Sequence, residues 1–394
     1  MMTGAAERHQ VRNGMWRGTM RRTSHLRALT YAAGLALLAF PALSAPMYTV
    51  TALGTFGGPN SKGNGINASG QVTGGAQTIT NHQHAFRFDG TTMQGIGTIA
   101  GVNTVGQGIN ASGHVAGFSS LTSNPGLRAF RYDGSTMQLL GTFGGSESRG
   151  YAINASGQVA GYATNQFGRE RAFRYSGSTM QDLGTFGGSI SYGFGINDSG
   201  HVTGTAALTG NTGQRAFVHN GSTMQDLGTL GGGSSTGMAI NASGQVTGWA
   251  HITGNSALHA FFYDGSTMHD LGTLGGTLSY GLAINATGHI TGYSQISGGN
   301  QRAFFHDGAT MYDLNTLLAP TDPLFGLITL TEATAINDSG QIVANSASGA
   351  YLLTPVVESV PEEPTPAPEP ATLALLAIGA IGVVAARRRS GAMA

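Results

Sequence analysis

A five-residue phrase, Ile-Asn-Ala-Ser-Gly or a close variant, occurs seven times, with its asparagine at Asn67, Asn110, Asn154, Asn197, Asn241, Asn285 and Asn337. Successive copies lie 43, 44, 43, 44, 44 and 52 residues apart. A fixed period of roughly 40–50 residues restricts a chain to propellers, solenoids or arrays, because one such unit cannot bury its apolar face alone. Repeated units of this kind bind or scaffold more often than they catalyse.

The third copy sets the pattern. Tyr151 to Asn154 reads as a short strand, Ala155-Ser156-Gly157 as a turn, and Gln158 to Tyr162 as a second strand. After a polar loop, Arg171 to Tyr175 alternates large apolar residues and reads as a third strand. Ser176-Gly177 turns the chain into a fourth, Thr179 to Thr185, and Phe186-Gly187-Gly188 leads into the next copy. The connection between strands three and four is Asp-Gly at residues 89–90, 133–134, 264–265 and 307–308, and Asn-Gly at 220–221. Asp-Gly between apolar runs predicts a type I′ hairpin, which needs positive φ at both central residues. No stretch of residues 46–355 holds a helical period over three turns. The 64 glycines suit a chain of short strands and tight turns.

The ends of the repeat region are complementary. The seventh copy stops after Ala350-Tyr351-Leu352-Leu353, without a fourth strand, whereas Tyr48 to Thr55 has the fourth-strand pattern and no preceding three. The expected fold is therefore all-β: a seven-bladed β-propeller of four-stranded blades over residues 46–355, closed by pairing of the N-terminal strand with the last blade. Closure removes two open sheet edges. An open β-solenoid is the alternative, and it does not require split ends.

Three segments recur in order: Leu227-Gly228-Thr229-Leu230-Gly231-Gly232, Ile240-Asn241-Ala242-Ser243-Gly244-Gln245-Val246 and His259-Ala260-Phe261. This combination resembles the HAF family of extracellular repeat proteins over residues 51–353. Arg replaces the histidine of the last segment at Arg128, Arg171, Arg215 and Arg302. The resemblance implies an extracellular role and no settled activity.

Both termini read as address labels. Arg21, Arg22 and Arg27 precede an apolar run from Leu29 to Phe40, and Ala42-Leu43-Ser44 supplies small residues for cleavage beside Ser44 and Ala45. Residues 1–44 are thus an expected signal peptide for signal peptidase, with Met20 a possible start. Residues 356–370 form a linker rich in proline and glutamate. Pro368-Glu369-Pro370 closes it, an uncharged stretch runs from Ala371 to Ala386, and Arg387-Arg388-Arg389 follows. The expected element over 371–389 is a C-terminal transmembrane helix and Arg cluster, short against the about 20 residues of a full span, with the arginines in the cytoplasm. This tail resembles the PEP-CTERM sorting signal of Gram-negative bacteria. That resemblance implies processing by an exosortase and association with exopolysaccharide production. The same tail has also been labelled an ice-binding C-terminal domain.

Charge and composition narrow the partners. Charged residues make up 10% of the chain, against roughly 25% in typical soluble proteins. Residues 46–357 carry 10 basic and 14 acidic side chains, a net of −4, with no basic stripe, so nucleic acid is not expected as a partner. The absence of cysteine excludes disulfides, thiolate metal sites and thiol catalysis.

Candidate sites are few. Each Asn-x-Ser/Thr or Asn-Asp-Ser phrase occupies a hairpin position where Asn bonds its own backbone, a better account than glycosylation. The residue after the turn glycine alternates between Gln (71, 158, 245, 341) and His (114, 201, 289). Three axial histidines could ligate zinc, but no carboxylate recurs beside them, so neither metal nor cofactor is expected. The paired glycines lack a following Lys and helix, which rules out a phosphate loop. Arg128, Arg171, Arg215 and Arg302 recur with Asp182, Asp226, Asp270 and Asp313 nearby. They read as cross-strand ion pairs or, more sharply, as contacts for acidic sugars, with Trp249 available for stacking. The insertion from Leu317 to Glu332 is either functional or part of ring closure. No catalytic constellation stands out, so the expectation is a non-enzymatic, exported, surface-sorted component of the extracellular matrix that holds exopolysaccharide or surface proteins. A polysaccharide-active enzyme and an ice or surface adhesin are the alternatives.

Overall fold

The computed structural model describes residues 46–99, 101–121 and 126–356. The expected signal peptide, the linker from residue 357 onward, the transmembrane helix and the Pro368–Arg389 signal lie outside the described residues. Among the described residues no helix is long and apolar enough to cross a membrane.

The described residues are all-β, with five four-stranded sheets and one eight-stranded sheet. The eight-stranded sheet consists of two four-stranded groups joined by a single parallel bridge, Leu258 to Leu278. In the third repeat the strands are Gly144–Ile153, Val159–Asn165, Glu170–Tyr175 and Met180–Asp182, all antiparallel. Two boundaries differ from the sequence reading. The first strand begins seven residues earlier than expected, because Gly144 pairs back with Asn165 at the end of the second strand. Polar residues and glycine hide that extension. The fourth strand is only three residues long, because Asp182 Oδ1 accepts the Gly184 N–H at 2.8 Å and the chain turns away there.

The hairpin between strands three and four also differs. Asp89 N donates to Thr92 O, so Gly90 and Thr91 are the central residues, and of these only the glycine has positive φ (105°). Type I′ needs positive φ at both central residues, so this turn is not type I′. The aspartate precedes the turn and holds it: Asp89 Oδ1 accepts the N–H groups of Thr92 and Thr91. Those donors keep the Asp89 carboxyl well below the usual carboxylate range.

Each sheet packs a small face against a large one. Ala160 and Ala172 of the third repeat meet Ile196, Val202 and Phe217 of the fourth, all at most 9% exposed. The Phe of strand three is fully buried in six repeats, from Phe86 to Phe304. Its ring explains one recurrent glycine. A Cβ on Gly161 would lie 1.9 Å from Arg149 O and 2.8 Å from the Phe173 ring.

A serine or threonine ties neighbouring sheets together. Ser191 Oγ accepts the Ala172 N–H at 2.9 Å and donates to Gly184 O, and Ser148, Ser235, Ser279 and Thr104 do the same for their neighbours. Ser191→Ala leaves a buried N–H without a partner. A loss of about 1–3 kcal/mol is expected, read as a lower denaturant midpoint at unchanged slope.

The ends of the repeat region pair. Tyr48–Ala52 runs antiparallel to Gly349–Pro355, with Tyr48 opposite Pro355 and Ala52 opposite Tyr351, completing the sheet with Ile342–Ser346 and Glu332–Ile336. The insertion between repeats six and seven fastens this strand. Ala319 N donates to Tyr48 O at 2.8 Å, and Val50 N donates to Asp322 Oδ2 at 2.7 Å. Leu314, Leu317, Leu318 and Leu330 share a buried cluster with Tyr48. Of the two roles open for this insertion, its geometry serves closure.

Candidate functional site

The recurrent asparagines form a closed ring. Asn67 Nδ2 donates to Asn110 O, Asn110 to Asn154, and so on through Asn197, Asn241 and Asn285 to Asn337, which donates back to Asn67 O, at 3.0–3.3 Å throughout. In every copy Oδ1 also accepts the N–H of the residue four positions on, at 2.9–3.0 Å. Each asparagine is at most 6% exposed. These bonds explain the phrase as turn chemistry plus a ring contact, and burial leaves no room for a glycan. With Ile196, Ile240 and Ile284 the collar lines an axial cavity of about 260 Å³.

Three residues before each asparagine the first strand bulges. The register with the second strand slips between Gly150 and Ala152, leaving Tyr151 as the extra residue, and the same slip recurs in all seven copies. A bulge re-aims one side chain out of the pleat. The seven re-aimed residues line one second cavity of about 290 Å³. Its wall is two-sided. Tyr151, Phe194, Met238 and Leu282, from repeats three to six, form an apolar arc, and Thr334, Asn64 and Gln107, from repeats seven, one and two, form a polar one.

Ring contacts lead outward from the aromatic lining residues Tyr151, Phe194 and Tyr293. Tyr151 lies 5.2 Å from Phe194 and 6.1 Å from Tyr162, and Tyr162 lies 5.1 Å from Tyr192. Trp249 is 5.6 Å from Tyr280, which stacks on Tyr293 at 4.7 Å. All but Tyr162 keep partial exposure. Burial pushes the phenols of Tyr151, Tyr162, Tyr192, Tyr280 and Tyr293 up, so they stay protonated hydrogen-bond donors at neutral pH.

The charges at the mouth are already matched. Lys62 Nζ meets Glu332 Oε1 at 2.8 Å, and Arg149 meets Glu147 Oε1 at 2.9 Å. The Arg149 guanidinium also lies over the Phe118 ring at 5.0 Å, and Tyr162 donates to Glu147 at 3.2 Å. The aromatic pocket that could hold a cation is filled by the chain's own arginine.

The residues singled out from the sequence lie elsewhere, with one exception. Arg171 pairs with Asp182 at 3.1 Å, Arg215 with Asp226 and Arg302 with Asp313 at 3.9 Å, and His259 takes the same role with Asp270 at 2.9 Å. Arg128, which faces no aspartate, donates to the carbonyls of Leu127 and Ser146. All four arginines sit on third strands and line neither axial cavity. Trp249 is the partial exception: it lines a separate cavity with Ile190, Ala207 and His251, and ring contacts through Tyr280 connect it to Tyr293 at the mouth. The Gln side chains do not face the axis: Gln71, Gln158 and Gln341 abut the turn glycines Gly113, Gly200 and Gly70 of adjacent repeats. Among the described residues no group of three or more His, Asp or Glu is placed to hold a metal ion. The bulge residues were missed because their identity varies from copy to copy. The fixed one-residue spacing between the glycine and the Ala/Gly-Ile-Asn phrase was the available signal.

Comparison with known proteins adds a destination. Residues 366–389 match the PEP-CTERM protein-sorting motif. The chain therefore carries a substrate signal for exosortase processing, which marks it as exported and sorted toward the cell surface. No curated protein sequence matches the chain. Similar solved structures include YCF48 bound to D1 peptide (12% identity, 80% of this chain and 99% of that one, TM-score 0.49) and a puromycin-hydrolysing peptidase of Mycobacterium tuberculosis (10%, 81% and 57%, 0.49). The β-propeller domain of the Trilobed protease from Pyrococcus furiosus is a third (10%, 66% and 82%, 0.46).

Proposed function

We propose that this chain is a closed, seven-bladed propeller of the cell-surface matrix that binds exopolysaccharide at the aromatic mouth of its axis, without turnover. The single observation that carries the reading is the set of bulges, which aim one variable side chain per repeat into a common cavity that Tyr293 also lines. The bulge residue varies from copy to copy between flanking residues that are always Gly or Ala, so variation enters the shared cavity, as it also enters the loops between second and third strands. Aromatic rings with polar tips offer a flat apolar face and a hydrogen bond to the same sugar. The sorting motif supports the location, and the segments shared with HAF proteins support an extracellular role.

Passing the purified full chain over immobilised exopolysaccharide from the producing organism tests this reading. Saturable retention that soluble polymer competes away is expected, with no release of reducing ends. Absence of retention would remove the polysaccharide reading, and reducing-end release would make the chain an enzyme.

A further inference from the structure

We propose that the mouth takes an uncharged glycan, a β-linked hexopyranose segment with flat C–H faces, and excludes uronate-bearing and sulfated polymers. This rests on the polysaccharide reading above and narrows it by ligand class. Three observations carry it.

The first is charge. Of the three glutamates among the described residues, Glu147 bonds Tyr162 and Glu332 lines the cavity. The cations beside them, Arg149 and Lys62, are each spent on one of those carboxylates. The arginines that could have met an acidic sugar are engaged on third strands by aspartate or by carbonyl oxygens. An incoming carboxylate would have to displace Glu332 from Lys62, the one cation that lines the cavity, and a desolvated unpaired anion is strongly disfavoured.

The second is shape. The wall has an apolar arc in four consecutive repeats and a polar arc in the other three. A pyranose presents an apolar face and a polar rim, so it can satisfy both arcs at once. A wholly apolar ligand would desolvate Gln107 and leave Asn64 with only its Nδ2 bond to Gly106 O.

The third is continuity. From Tyr293, which lines the cavity, ring contacts lead outward through Tyr280 of the adjoining first strand to Trp249, which lines a neighbouring cavity. Stacking thus runs beyond one ring, as a chain segment requires.

The test uses the full chain and two soluble probes, a β-linked glucose hexasaccharide and a mannuronate hexasaccharide, read by Trp249 fluorescence and by calorimetry. The neutral hexamer is expected to bind at least about tenfold tighter, a margin of about 1.4 kcal/mol. Its affinity should change little with salt. Trp249→Ala should weaken it by about tenfold or more, as expected of a stacking anchor, and Trp249→Phe by less. Glu147→Gln with Glu332→Gln releases Arg149 and Lys62 and should raise the affinity for the mannuronate hexamer relative to that for the glucose hexamer.

A mannuronate hexamer that binds as tightly as the glucose hexamer, with salt-sensitive affinity, would overturn the ligand class and leave polysaccharide binding standing. Retention of the native polymer that ignores Trp249→Ala would overturn the site. If neither hexamer binds and the native polymer is not retained, both readings fail together. If the native polymer is retained and both hexamers fail, the ligand class alone is overturned.

Discussion

Deleting residues 48–52 is expected to open the ring and to produce the largest loss of stability of any small change in this chain. The deletion removes five cross-strand pairings and uncovers the edge of Gly349–Pro355. It also exposes Leu318, Leu330 and Phe305, which close over Tyr48. Tyr48 is 1% exposed, and truncating a buried aromatic to alanine alone costs about 3–5 kcal/mol. The whole strand costs more, because an unpaired edge invites a second chain. Size-exclusion chromatography should show higher oligomers at concentrations where the intact chain is monodisperse. A synthetic peptide covering residues 46–56, added in trans, should restore the monomer by strand addition. Full stability of the deletion variant without peptide would contradict the closure.

Asn241→Ala is the second large effect. The side chain satisfies all four of its hydrogen-bonding positions: Oδ1 accepts from Ser243 N and Gln245 N, and Nδ2 donates to Gln245 Oε1 and Asn285 O. The site is 6% exposed, so water does not replace the lost partners fully. At roughly 1 kcal/mol for each bond the loss is about 3–4 kcal/mol. For a domain of this size that lowers Tm by roughly 5 °C. Asn241→Asp keeps both acceptor contacts and turns both donors into an oxygen facing oxygens, so at neutral pH it should rescue nothing. A drop of less than 2 °C for either variant, by calorimetry, would mean that the ring bonds contribute nothing.

How much of this was legible in the sequence follows from how strictly each feature repeats. The spacing of Asn67 to Asn337 gave the unit, and the split pattern at Tyr48 and Leu353 gave the pairing of the ends. The extent of Gly144–Ile153 was hidden because its outer half is Gly-Gly-Ser-Glu-Ser, which has no apolar alternation, and only the pairing of Gly144 with Asn165 defines it. The turn type was misread because Asp89 looks like a central residue, whereas its carboxylate serves the turn from the flank. The arginines looked like a ligand array because they recur; for Arg171, Arg215 and Arg302 recurrence reflects cross-strand pairing with Asp182, Asp226 and Asp313. The mouth was invisible for the opposite reason. Tyr151, Phe194 and Gln107 share a position but no chemistry, and a bulge cannot be seen in one strand without its partner.

The central claim is that the bulge residues bind the matrix polymer, and the most direct measurement compares two paired variants of the full chain on the producing organism's exopolysaccharide. Tyr151→Ala with Phe194→Ala strips the apolar arc, whereas Arg171→Ala with Arg215→Ala removes cations that line no axial cavity. The expected result is a loss of affinity of at least about tenfold for the first pair and none for the second, both variants keeping the far-UV spectrum of the parent. Equal affinity of the first pair and the parent, or a loss confined to the arginine pair, would contradict the account and return the weight to the third-strand arginines.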